Sequence, residues 1–141
     1  MRDIEFRTSL RILGDDLDPD EITRNVGCSP SRSCRMGEPW ITPGGTPLAC
    51  RTGSWILDAP GNLDCPIDDL LDMQALWLLS KCHGHRDFWT EISKKYEVHL
   101  FIGIFLGEKT NAFFLGPKTM NSLSEIGIGL DFHLYDSEMD V

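Results

Sequence analysis

The sequence predicts an α+β fold: a ferredoxin-like or elaborated α/β sandwich, with a mainly antiparallel sheet and its helices on one face. Three observations carry this. Segments of period-two alternation lie near both ends of the chain, at residues 4–13 and 126–134. Segments of helical spacing, with recognisable starts, fall between them. The order that results is β-α-β-β-α-β-β-α-β, without a linker long enough to separate domains. One domain over residues 1–135 is expected, followed by a flexible acidic tail at 136–141.

The first strand sets Phe6, Leu10 and Ile12 on one side and Glu5, Arg7, Ser9 and Arg11 on the other. Gly14-Asp15-Asp16 ends it. Asp18 then has the character of a helix N-cap, with Pro19 at the first helical position and Glu21 at the third. Leu17 and Ile22 are spaced as a hydrophobic staple, and Gly27 suits a left-handed stop. Residues 28–54 are irregular: a short extended piece is expected near Arg32–Met36, then a loop rich in Pro and Gly. Residues 54–57 read as another strand.

The main helix follows Asp64, a candidate cap, and Pro66. Its apolar side is broad (Ile67, Leu70, Leu71, Ala75, Leu78), as in a helix packed on a sheet. Gly84 breaks it, and helical spacing resumes from Arg86 to Tyr96. Val98 to Leu106 is apolar on both faces, as in a central strand. A hairpin turn at residues 107–111 is expected to lead into a strand at Ala112–Leu115. A short helix over Pro117–Glu125 and a final strand complete the order.

The 141 residues carry a formal charge of −9. Such a chain repels phosphate backbones, so nucleic acid is not the expected partner. No apolar run approaches the ~20 residues of a membrane span. There are five cysteines, an odd number, and no apolar leader, which together predict reduced thiols and a cytoplasmic setting.

Candidate sites are few. Cys82-His83-Gly84-His85 is rich in ligating groups, but three donors within four residues do not converge readily on one ion. Neither metal nor cofactor is expected. The carboxylates at 15–21 lack the glycine and terminal glutamate of a calcium loop. His99 and His133 fall in strands and are placed to project from one sheet face, yet no serine or cysteine stands out as a partnered nucleophile. Charge is the more informative signal. Three windows (15–21, 58–80 and 119–141) hold 15 of the 22 carboxylates, and the last two contain no Lys or Arg. Residues 22–57 instead carry Arg24, Arg32, Arg35 and Arg51 against Glu38 alone.

Several blocks together resemble the bacterial domain-of-unknown-function family 4279. They are residues 10–23 (LRILGDDLDPDEIT), 27–32 (GCSPSR), 35–37 (RMG), 53–55 (GSW) and 101–105 (FIGIF). The resemblance covers nearly the whole chain and implies a stand-alone bacterial domain of this length. It carries no catalytic residues over. The cysteine-rich loop and Cys82–His85 are particular to this sequence.

The functional expectation is a non-catalytic protein-binding module. Its sharpest form is an immunity protein that neutralises a basic, nuclease-type toxin through Asp15, Asp16, Asp68, Asp69 and Asp72. The alternative is a small ligand-binding domain or enzyme with a pocket lined by Arg32, Arg35, Trp40 and Trp55. In that alternative Trp40 is an exposed anchor; otherwise it packs beneath its loop.

Overall fold

A computed structural model describes residues 3–82, 86–109 and 111–136. The N-terminal alternation becomes β1 (Glu5–Gly14), with Phe6, Leu10 and Ile12 buried on one side. Helix α1 (Pro19–Val26) starts where expected: the Asp18 carboxylate accepts the Asp20 backbone N–H at 3.0 Å. Leu17 and Ile22 are both buried, and Gly27 ends the helix at φ +85°.

The irregular stretch contains three short strands. β2 (Arg32–Cys34) fulfils the expected extended piece. β3 (Pro39–Ile41) and β4 (Pro47–Ala49) form a separate hairpin where only a loop was expected. Its turn contains Gly45 at φ +87°, and its strands are too short and proline-bearing to show period-two alternation. The hairpin brings Cys34 and Cys50 together in a disulfide. This corrects the expectation of five reduced thiols. Cys34 and Cys50 are distant in sequence and become neighbours only once the hairpin pairs. The free cysteines are Cys28, Cys65 and Cys82.

β5 (Gly53–Asp58) follows, then a 3-10 turn (Ile67–Asp69) that leads into α2 (Leu70–Lys81). The α-helix thus begins later than Asp64 suggested, and Asp68, Asp69 and Asp72 cluster at its N-terminal end, where carboxylates oppose the helix dipole favourably. Helix α3 (Arg86–Lys95) and strand β6 (Glu97–Phe105) lie as expected. Residues 111–116 form no strand. They are held by side chains instead: Asp72 accepts the Gly116 N–H at 2.7 Å, and Asn111 bonds both main-chain groups of Gly107. The chain then enters α4 (Pro117–Glu125) and β7 (Gly129–Tyr135).

The five strands are ordered β2-β5-β1-β6-β7. Every pairing is antiparallel except β6 with β7. That parallel pair is joined directly through α4, a simple βαβ unit, so the fold is an elaborated α+β sandwich. Helices cover the face that bears Phe6, Leu10, Ile12, Trp55, Leu100, Ile102 and Ile104. Two polar links stitch the layers. Gln74 on α2 accepts the Thr8 hydroxyl at 2.6 Å and donates to the Phe6 and Pro60 carbonyls. Trp55 donates its indole N–H to the Thr23 hydroxyl on α1 at 3.0 Å. Both bonds satisfy buried polar groups that would otherwise cost about 1–3 kcal/mol each.

Candidate functional site

Among the described residues, no helix packs on the opposite face of the sheet. Register places Arg7, Ser9 and Arg11 of β1 there, beside Asp58 of β5, His99, Phe101, Gly103 and Phe105 of β6, and Asp131, His133 and Tyr135 of β7. Arg32 of β2 joins them opposite Ile56.

These side chains form two parallel rows. In the first, the Arg11 guanidinium lies 3.9 Å from the Phe101 ring centre, and the His133 ring lies 4.6 Å beyond it. In the second, Arg7 lies 4.7 Å from the Phe105 ring centre, and Tyr135 stacks on Phe105 at 4.8 Å. Gly103 sits between the rows; a β-carbon there would meet the Phe101 ring at 3.4 Å and the Phe105 ring at 3.7 Å. Each cation–ring contact is worth about 0.5–1 kcal/mol when exposed and more when desolvated.

Carboxylates meet most of the arginines and histidines. Glu5 pairs with Arg7 at 3.2 Å, and Asp58 with Arg32 at 2.6 Å. Asp131 stands 3.1 Å from His133 Nε2 and 3.7 Å from His99 Nε2. Arg11 differs: among the described residues no carboxylate lies within 4 Å of it, and its Nε donates to Ser9 Oγ at 3.0 Å. Burial lowers its pKa from the ordinary value, the Arg32 charge adds to that, and Asp58 partly opposes both. An arginine remains charged under such shifts, so Arg11 is a partly desolvated cation over an aromatic ring.

A cleft of about 720 Å³ opens along this face. It runs beside the first half of β1, where β5 has already ended, and its floor includes Arg7, Arg11, Arg32, Phe101, Phe105 and Tyr135. Its size is that of a small-molecule or anchor-residue pocket. The arrangement can hold a negatively charged or planar group against Arg11 and the rings. A second cleft of about 360 Å³ lies between α1 and α3.

The predicted site residues are scattered. Asp68 and Asp69 are exposed at the start of α2, whereas Asp72 is half-buried and engaged with Gly116. Ile67 and Leu70 beside them line the cleft near Glu5 and Phe6, at the beginning of β1. Asp15 and Asp16 are exposed beyond its other end, roughly 30 Å away at ~3.4 Å per strand residue. The acidic residues thus flank the sheet at two ends and do not share one patch.

The four residues of the alternative pocket do not meet either. Trp55 is fully buried beneath α1, on the opposite sheet face from Arg32. Arg35 is held by Asp18 and Asp20 at 2.9 Å each. Burial acts to raise the Asp18 pKa, but the Asp20 N–H and the Arg35 charge outweigh it and hold the carboxyl below its usual value. Trp40 is exposed on the β3–β4 hairpin. Arg32 alone reaches the cleft.

His83 and His85 lie outside the described residues. Cys82 donates its thiol to the Leu78 carbonyl, and burial, with the neighbouring Cys28 charge, pushes its pKa up to about 12. No group of three His, Cys, Asp or Glu among the described residues is placed to hold a metal ion. Among the described residues, no helix is long and apolar enough to cross a membrane.

Arg7, Arg11, Phe101, Phe105 and Tyr135 did not stand out in the sequence. The arginines read as the solvent side of β1, and the phenylalanines as the second apolar face of a buried strand. Only the expectation that His99 and His133 share a face pointed here. No curated protein and no solved structure matches this chain. The model of a domain of unknown function, DUF4279, matches residues 4–137, nearly the whole chain, and the protein belongs to that family.

Proposed function

We propose that the protein is a non-catalytic protein-binding module whose partner docks on the uncovered face of the sheet. The observation that carries this reading is Arg11, a partly desolvated guanidinium held over Phe101 at the edge of an anchor-sized cleft. Arginine and aromatic side chains in a concave, partly desolvated setting are the usual anchors of protein interfaces. Aromatic and arginine side chains also serve single-stranded nucleic acid. Here the chain charge of −9 and the carboxylates already on Arg7 and Arg32 work against a polyphosphate.

The sharper form is an immunity protein for a basic, nuclease-type toxin, acting in the bacterial cytoplasm. Its support is the net charge and the exposed Asp15, Asp16, Asp68 and Asp69 at the two ends of the sheet. Those groups would steer a basic partner, and the sheet face would anchor it. A cytoplasmic setting requires a fold that survives reduction of Cys34–Cys50.

Capture with the product of the neighbouring gene tests the proposal. Binding that weakens in Arg11→Ala, and whose salt-dependent association slows in Asp68→Lys/Asp69→Lys, supports it. No binding to that product, and no protection from it, removes the immunity reading. A second reading, a small anionic ligand in the cleft, is favoured by the lack of a carboxylate on Arg11 among the described residues; thermal shift with carboxylate and phosphate compounds separates the two.

A further inference from the structure

The final strand keeps its apolar alternation in sequence but, among the described residues, lacks a cover. Leu130, Phe132 and Leu134 stand on the helix side of the sheet and remain 36%, 43% and 60% exposed. Phe113, itself exposed, lies against Phe132 with ring centres 6.5 Å apart. One exposed apolar residue needs no explanation, but a row of them on a sheet edge does. β7 is that edge: seven residues, paired only with β6 among the described residues. At the other edge, β2 is three residues long, a common way to blunt an edge.

Main-chain groups of successive strand residues point to opposite sides. The Tyr135 carbonyl accepts from Leu106 N–H at 2.9 Å, on the β6 side. The N–H and C=O groups of Leu130, Phe132 and Leu134 therefore point outward. The strand is also complementary to its own reverse. Antiparallel pairing about Phe132 sets Leu130 opposite Leu134, Asp131 opposite His133 and Phe132 opposite itself. The residues with outward groups are those this register makes into hydrogen-bonded pairs, giving about six main-chain hydrogen bonds. Asp131 and His133 fall at the close, non-hydrogen-bonded positions, where a carboxylate can accept from an imidazole N–H and two like charges repel.

We infer that β7 is a dimerisation edge, and that its partner is β7 of a second copy of this chain. A two-fold axis through Phe132 is the isologous symmetry of most small dimers. It merges two five-stranded sheets into one, keeps the helices of both copies on one side, and makes their uncovered faces continuous. The inference is independent of what those faces bind.

The test is the mass of the full-length chain by sedimentation from micromolar to millimolar concentration, with amide exchange at Leu130, Phe132 and Leu134. A dimer of twice the 15.9 kDa chain mass, with those three amides protected, is expected. Phe132→Lys sets two lysines face to face and raises the dissociation constant roughly tenfold or more. His133→Asp alone weakens the dimer, and adding Asp131→His restores it. Circular dichroism confirms that each variant is folded. A chain that stays at 15.9 kDa at every concentration overturns the inference. So does a dimer indifferent to Phe132→Lys, which uses another face, or amide protection that appears only with a different protein.

Discussion

The two faces of one sheet are built from neighbouring residues yet are covered differently. Leu100, Ile102 and Ile104 of β6 are buried under the helices; Phe101 and Phe105, interleaved with them, lie on the uncovered face beneath two arginines. The covered face contributes stability through burial in a packed core. The uncovered face keeps its aromatic rings partly shielded by guanidinium groups. Apolar residues on both sides of a strand thus need not mean two packed layers: charge can cover the second side and leave it available.

The sharpest way to break this contrast is mutation on each face in turn. Trp55→Ala empties a fully buried site and strands the Thr23 hydroxyl, so a loss of about 3–5 kcal/mol in chemical denaturation is expected. Phe101→Ala, on the uncovered face, should cost about 1 kcal/mol or less. Comparable losses at the two positions would show that both faces belong to the core.

The disulfide comes next in size. Its sulfurs close a loop with a sequence separation of 16 around the β3–β4 hairpin. Reduction, or Cys34→Ser with Cys50→Ser, should lower stability by about 3 kcal/mol while leaving the five-stranded sheet folded. Denaturant titration, and far-ultraviolet circular dichroism before and after reduction, check the loss and the retained sheet.

A smaller effect is expected from pH. The folded Asp18 carboxyl titrates below its unfolded value, so its contribution is complete above the ordinary carboxylate range. That contribution disappears as pH falls through the depressed folded value, when the cap on α1 and the tether to Arg35 are both weakened. Asp18→Asn should flatten the corresponding stretch of the acid limb of an unfolding profile and leave the neutral region nearly level.

The local signals in the sequence were strong where short-range chemistry decides structure. The Asp18 cap, the Leu17–Ile22 staple and the Gly27 stop appear as read, as does α4, whereas the final strand begins at Gly129 instead of Ile126 and its alternate apolar residues stay exposed. Non-local pairing was another matter. Residues 107–116 have the glycine and asparagine of a hairpin, but Asp72, distant in sequence, takes the Gly116 N–H, and Phe113 packs on Phe6 and Phe132 through its ring instead of pairing as a strand. The same limit hid the Cys34–Cys50 bridge and scattered Arg32, Arg35, Trp40 and Trp55. It also concealed the site: Arg11 and Phe101 belong to strands remote in sequence, and only the β1–β6 register brings them together.

The central claim is that the uncovered face binds while the covered face folds. Calorimetric titration of the neighbouring gene product into the wild-type protein and into Arg11→Ala/Phe101→Ala tests it most directly. The account predicts that the double variant keeps a near-native unfolding midpoint and loses affinity by roughly tenfold to a hundredfold, the cost of one interface anchor. Unchanged affinity in a folded double variant would contradict it.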